Sequence, residues 1–153
     1  MTEAANGFTL VRTFDATPEE LWQAWTDPDS AAQWWHPGGM STPRQSVEID
    51  ARVGGRYTYA MVDDATGDKV VTVGVYREVV PFERLVFTWS QPGADADHAS
   101  VVTVTLEPAG ERTRMTFDLR RHDQALGDEG DRDGWTDALD VLEEYLARSR
   151  VGG

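Results

Sequence analysis

Hydrophobic and polar residues follow one another along this chain with a period that changes from segment to segment, and each period predicts an element. Residues 8–15 (FTLVRTFD) form a β-branched and aromatic run that stops at Ala16-Thr17-Pro18, which predicts a strand. Thr17-Pro18-Glu19-Glu20 then reads as a helix start: Thr can accept from exposed backbone N–H groups, Pro is harmless at the first helical position, and Glu20 completes a capping box. Leu21 and Trp25 fall four apart on one face, and Asp27-Pro28-Asp29 is expected to end the helix. A second short helix is predicted over 31–35, closed by His36-Pro37-Gly38-Gly39.

From Gln45 onward the period drops to two. Strands are predicted at 46–52, 56–62, 69–80, 84–90, 100–107 and 113–121, separated by turn residues such as Gly54-Gly55, Pro81-Phe82-Glu83, Gln91-Pro92-Gly93 and Pro108-Ala109-Gly110. Connections this short imply antiparallel pairing, because parallel strands need long crossovers. Alternation assigns the inward faces to Tyr57, Tyr59 and Met61, to Val71, Val73 and Val75, to Leu85, Phe87 and Trp89, to Val102, Val104 and Leu106, and to Met115, Phe117 and Leu119. It assigns Arg84, Thr88, Ser90, Arg112, Arg114, Thr116 and Asp118 to water.

After a loop expected at 122–133, Trp135, Ala138, Leu139, Leu142, Tyr145 and Leu146 recur at spacings of three and four, opposite Asp137, Asp140, Glu143, Glu144 and Arg148. This is an amphipathic helix, with basic residues in its last turn and fraying expected at Val151-Gly152-Gly153. The order predicts an α+β fold: a curved antiparallel sheet of about six to seven strands wrapped around a long C-terminal helix, with two short helices after the first strand. One helix need not fill the concave face, so a cavity between helix and sheet is the expected by-product.

Composition narrows the class. At 153 residues the chain suits one domain, and 40% hydrophobic residues with 6 Trp, 5 Phe and 4 Tyr give a folded core rather than disorder. The net charge of -13 opposes a phosphate backbone or an anionic membrane surface, so neither nucleic acid nor membrane is expected as a partner. There is no Cys, which removes thiolate chemistry, and no basic-then-apolar leader or apolar run of membrane-spanning length is seen. A cytoplasmic location is the simplest expectation.

Trp34-Trp35-His36-Pro37-Gly38-Gly39-Met40 concentrates two indoles, an imidazole, a glycine hinge and a thioether where the cavity mouth should lie. With Tyr57, Tyr59, Met61, Phe87, Trp89, Met115, Trp135 and Leu139, these residues are the candidate cavity lining; ordinary core packing is the competing account of each. Buried Tyr hydroxyls and indole N–H groups need partners, which favours an amphipathic ligand over a pure hydrocarbon. Arg12 and Arg56 can anchor a ligand carboxylate, although pairing with acids such as Glu48 or Asp50 is the commoner role of such arginines.

Glu129-x-Asp131-x-Asp133-Gly134 with Asp140 at the twelfth place approaches a calcium loop but departs from it at both ends, so Asp131 or Asp133 is expected to serve instead as an acidic N-terminal residue of the last helix. His36, His98 and His122 stand too far apart for zinc-ligand spacing, and no nucleophile elbow or phosphate-cradling loop occurs. No metal, cofactor or catalytic set is implied.

The run FTLVRTFDATPEELWQAWTDPDSAAQWWHPGG, the Arg52-Val53-Gly54-Gly55-Arg56 segment, Gly74-Val75-Tyr76-Arg77-Glu78-Val79-Val80-Pro81 leading into Arg84-Leu85-Val86-Phe87-Thr88-Trp89, and Gly134-Trp135-x-x-x-Leu139-x-x-Leu142 carry a resemblance. Together, over residues 8–150, they resemble the activator of heat-shock-protein ATPase homologue-like proteins of the START-like, or SRPBCC, superfamily. The resemblance implies a helix-grip fold with an internal hydrophobic pocket. It implies function less narrowly, because relatives of this fold include lipid carriers, polyketide aromatase/cyclases and cochaperones. The expectation is a protein that binds a small apolar or amphipathic molecule. The alternatives are a cavity enzyme of cyclase/aromatase type in which His36 or a cavity Tyr moves protons, and a chaperone-regulating partner. A homodimer formed through an exposed strand edge is compatible with the pattern.

Overall fold

The computed structural model describes residues 7–36, 39–90, 100–120 and 128–152, with side chains described from 8 onward and over 134–147 in the last helix. Strand β1 (Gly7–Phe14) is followed by helices α1 (Pro18–Thr26) and α2 (Pro28–Ala31), and then by two short strands, β2 (Met40–Ser41) and β3 (Glu48–Ile49). Five longer strands come next: β4 (Arg56–Asp63), β5 (Lys69–Val80), β6 (Arg84–Trp89), β7 (Ser100–Ala109) and β8 (Arg112–Arg120). Helix α3 (Asp128–Gly152) closes the chain. One antiparallel sheet runs β1-β8-β7-β6-β5-β4-β2, with β3 also on β4, and the buried stripe of α3 joins the inner face of this sheet in one core. This is the helix-grip arrangement, with the order of elements that the hydrophobic pattern predicts.

The local reasons are visible at each junction. Thr17 caps α1 by accepting from the Glu20 N–H at 3.1 Å while the Glu20 carboxylate accepts from the Thr17 N–H at 2.8 Å. Asp27-Pro28-Asp29 does end α1, but it also starts α2: the Asp27 carboxylate accepts from the Ser30 N–H, and Pro28 takes the first helical position. The second helix therefore begins three residues before the predicted 31–35 and overlaps it only at Ala31, and turns follow from Ala32 to His36. The predicted strand at 46–52 shrinks to two residues after a 3₁₀ turn at Arg44–Ser46. Helix α3 begins at Asp128, inside the expected loop, and continues through Gly152.

In β5 the expected faces are reversed. Val71, Val73 and Val75 do not form the inward set; Thr72, Gly74 and Tyr76 are buried, and Val75 is 37% exposed. The register explains it. Tyr57 stands opposite Gly74 and Tyr59 opposite Thr72, and directly opposed residues of an antiparallel pair share a face. Once the tyrosines of β4 face inward, the valines of β5 must face out.

Gly74 is there because Tyr57 lies across it. A Cβ at Gly74 would collide with the Tyr57 ring and with the Thr88 carbonyl oxygen, to which the Tyr57 hydroxyl donates at 2.6 Å. A register shift between Tyr76 and Glu78 then flips parity, bringing Val79 opposite Leu85 while Glu78 stays outside with Arg84. Thr88, expected in water, is buried instead, and its hydroxyl accepts from the Val75 N–H at 2.8 Å. We expect Gly74→Ala to destabilise the fold by about 1 to 3 kcal/mol, the overpacking range, measured by urea unfolding. An unchanged midpoint would show that Tyr57 does not cross Gly74.

Candidate functional site

The inner face is paved with rings. Trp25, from α1, stands at its centre, edge-on to Trp34 at 4.6 Å between centroids and stacked near Phe117 and Trp135 at 6.1 Å each. A second group continues from it through Phe87 to Tyr57, Tyr76, Tyr59 and Trp35. Of the candidate residues, Trp34, Trp35, Tyr57, Tyr59, Phe87, Met115, Trp135 and Leu139 belong to this buried cluster, and Met61 and Trp89 pack half-buried against it. His36 and Met40 are half-buried beyond its rim.

Hydrogen bonds separate the residues with a closed role from those without one. Trp34 donates its indole N–H to the Ala24 carbonyl at 2.9 Å, tying the turn after α2 to α1, so it serves the core. Met115 accepts at sulfur from the Trp25 N–H at 3.3 Å. Tyr57 is committed to the Thr88 carbonyl. Trp35, only 5% exposed, rests its ring on Tyr59 at 4.6 Å, yet its N–H meets no acceptor among the described residues. The Trp89 N–H is in the same position, buried and without a hydrogen bond. Trp89 and Thr72 both lie near enough to the Tyr59 hydroxyl to ease down a pKa that burial raises, but the Trp89 N–H and that hydroxyl do not reach hydrogen-bond geometry. Two orphan donors thus flank Tyr59. Each costs about 1 to 3 kcal/mol while it stays buried and unpaired.

Burial also pushes the hydroxyls of Tyr57 and Tyr76 up, so all three buried phenols are neutral donors at physiological pH. Among the described residues no Asp, Glu, Lys or Arg is buried. Arg12 does not pair with Glu48 or Asp50. It reaches Asp140 of α3 at 2.6 Å and Glu143 at 3.7 Å, which clamps the helix to β1. Tyr145 adds a second tie, donating to the Ser30 hydroxyl at 3.1 Å. Arg56 is exposed and lines an open groove of about 460 Å³ with Glu48, Ile49, Asp50, Gly54 and Gly55, which contains none of the candidate lining residues.

His36 has a defined tautomer. The Thr42 hydroxyl spends its one proton on the Trp35 carbonyl at 2.7 Å, so its 3.2 Å contact with His36 Nδ1 requires the proton on that nitrogen. Nε2 is left as a lone pair. Burial lowers the His36 pKa, opposed by the nearby Asp64 carboxylate, and the neutral ring is favoured at pH 7. His98, His122 and the Glu129, Asp131 and Asp133 side chains lie outside the described residues; among those described, no group of three His, Asp or Glu is placed to hold a metal ion.

Sequence periodicity missed Tyr76, Thr72 and Thr88, all of which touch this region. The signal was present in Gly74, whose lack of a side chain matches an opposed aromatic, but which strand supplied that aromatic depended on register.

A curled antiparallel sheet gripping one long helix defines a class of ligand-binding domain, the helix-grip proteins. Residues 15–147 match the family described as activator of Hsp90 ATPase homolog 1-like protein, and the chain belongs to that family. Solved structures agree. Protein CV1439 from Chromobacterium violaceum is 31% identical, with 91% of this chain and 95% of that chain covered and a TM-score of 0.82. Protein NE0264 from Nitrosomonas europaea is 25% identical over 97% and 98% of the two chains, with a TM-score of 0.84. The SPO3351 protein from Silicibacter pomeroyi is 28% identical over 94% and 99%, with a TM-score of 0.80. None of the curated proteins matches the chain significantly. Among the described residues no helix is long and apolar enough to cross a membrane.

Proposed function

We propose that this protein binds a small, mainly apolar molecule between the inner face of the sheet and α3, beside Trp35, Tyr59, Trp89 and Trp135. The observation that carries the reading is the pair of buried indole N–H groups that meet no acceptor among the described residues. A core built only for stability would pair or expose such donors. Burying the apolar area of a small ligand at about 25 cal/mol per Å² sustains micromolar affinity with one or two polar contacts. Trp35, Trp89 and Trp135 all border the proposed position, so tryptophan emission reports on it. A library of lipids and aromatic compounds should contain members that shift the emission, and native mass spectrometry should retain one on the protein. Unchanged emission across the library, with no retained molecule, overturns the reading.

A cavity enzyme is the second reading, favoured by the free Nε2 of His36, a lone pair held on a neutral ring beside Trp35. In that role His36 accepts a proton from a bound substrate, and His36→Gln abolishes turnover while binding persists. The ring also predicts a stability signature. Its folded pKa lies below the ordinary 6.5, so the unfolded chain binds more protons just below that pH. Stability from this group is therefore complete above pH 6.5 and declines as pH falls below it. Thermal midpoints of wild type and His36→Gln should run parallel above pH 6.5 and converge or cross below. Parallel curves throughout the acid range would remove the buried-imidazole account.

A further inference from the structure

We propose that the ligand carries an uncharged carbonyl oxygen at its buried end, and that this oxygen accepts from the indole N–H groups of Trp35 and Trp89 on either side of Tyr59. This rests on the binding reading above and goes beyond it by assigning a chemical class.

Three observations select that class. First, the unmet groups are both donors: an indole nitrogen cannot accept, so the ligand group that pairs with it must be an acceptor. Second, the donors are neutral and belong to rigid rings. Trp35 is fixed by contacts to Trp34, Tyr57 and Tyr59 at 6.4, 5.8 and 4.6 Å, and Trp89 by Trp135 at 5.8 Å. Their N–H groups are therefore held in place before a ligand arrives, and little ordering opposes the new bonds.

Third, nothing among the described residues compensates a buried negative charge. No Lys or Arg is buried in the core, and Arg12, the inward arginine of β1, is held by Asp140 and Glu143. An ionised carboxylate beside Tyr59 would lose its hydration and gain no countercharge. The same environment disfavours the charged form of the three neighbouring phenols, whose pKa values burial pushes up. A ketone, aldehyde, ester or quinone oxygen accepts two hydrogen bonds without that cost. A hydrocarbon leaves both donors unpaired.

Three probes on one bicyclic skeleton separate these cases: 2-acetylnaphthalene, 2-ethylnaphthalene and 2-naphthoate, titrated calorimetrically into the full chain at pH 7. The ketone should bind about tenfold tighter than the hydrocarbon and tighter still than the carboxylate, each neutral hydrogen bond contributing about three- to tenfold. Trp35→Phe and Trp89→Phe keep an aromatic ring and delete the N–H. Each should erode the ketone's advantage over the hydrocarbon, read as the ratio of the two affinities in the same variant, by about threefold or more. Should either variant unfold, the wild-type protein labelled with ¹⁵N at its indoles gives the answer directly: the Trp35 and Trp89 N–H resonances move downfield with the ketone and not with the hydrocarbon. Equal binding of ketone and hydrocarbon, or carboxylate tighter than ketone, overturns the carbonyl assignment while leaving the binding function standing. If none of the three binds and the wider library also leaves emission unchanged, both fall.

Discussion

Replacing Trp25 with Ala is expected to cost about 3 to 5 kcal/mol of stability, the range for removing a large buried aromatic. Trp25 is 1% exposed and comes from α1, yet its ring meets Trp34 of the following turn, Phe87 of β6, Phe117 of β8 and Trp135 of α3. It joins helix, sheet and helix in one contact set, so its loss leaves a cavity that no single element can collapse to fill. Trp25→Phe separates packing from polarity: it keeps most of the ring contacts and removes the N–H donated to Met115 sulfur, and should cost far less than Ala. Urea midpoints at constant slope measure both. A Trp25→Ala cost under about 1 kcal/mol would mean that α1 does not pack on this face.

Trp135→Ala has the second-largest expected effect, about 3 kcal/mol or more. Two outcomes were open for a residue that begins the apolar stripe of the terminal helix: a core anchor, or a wall of an already hollow space whose removal costs nearer 1 kcal/mol. Its placement favours the anchor. The ring lies 4.5 Å from Phe117, stacks near Trp25 and stands edge-on to Trp89 at 5.8 Å. The contact with Trp89 adds a functional consequence, because Trp135 helps to fix one of the two orphan N–H groups. Its removal should weaken 2-acetylnaphthalene binding as well as stability, whereas Leu142→Ala, buried in the same stripe and outside the candidate lining, should lower stability alone. Urea midpoints with and without the ketone distinguish these results. No change in either quantity would mean that Trp135 faces solvent and that α3 is misplaced on the sheet.

The element order, the antiparallel pairing and most inward faces were legible because they depend on spacing along the chain. Leu85 and Phe87 of β6, Val102, Val104 and Leu106 of β7, and Met115, Phe117 and Leu119 of β8 are buried as alternation requires. Trp135, Ala138, Leu139, Leu142 and Leu146 are buried as the helical period requires, and the capping box at Thr17 and Glu20 forms as its residue types require. Each of these is a local property: period two, period 3.6, or a side chain returning to its own backbone.

What escaped was whatever depended on two distant segments meeting. Alternation placed Val71, Val73 and Val75 of β5 inward, but a single register with β4 placed Thr72 and Gly74 against Tyr59 and Tyr57. One irregularity after Tyr76 then reset the parity for Val79. Arg12 offered a charge on an inward face without revealing its partner, which lies on the last helix, 128 positions away at Asp140. Most of the aromatic candidates are buried in one cluster, yet periodicity could not divide Trp34, whose N–H is used, from Trp35, whose N–H is not. Hydrophobic patterning records which side chains leave water, and so the sequence by itself determined the layers of this protein. Hydrogen-bond partnership is set by angles and by contacts between segments far apart in the chain, so only the tertiary structure decided which buried donors stay unpaired among the described residues.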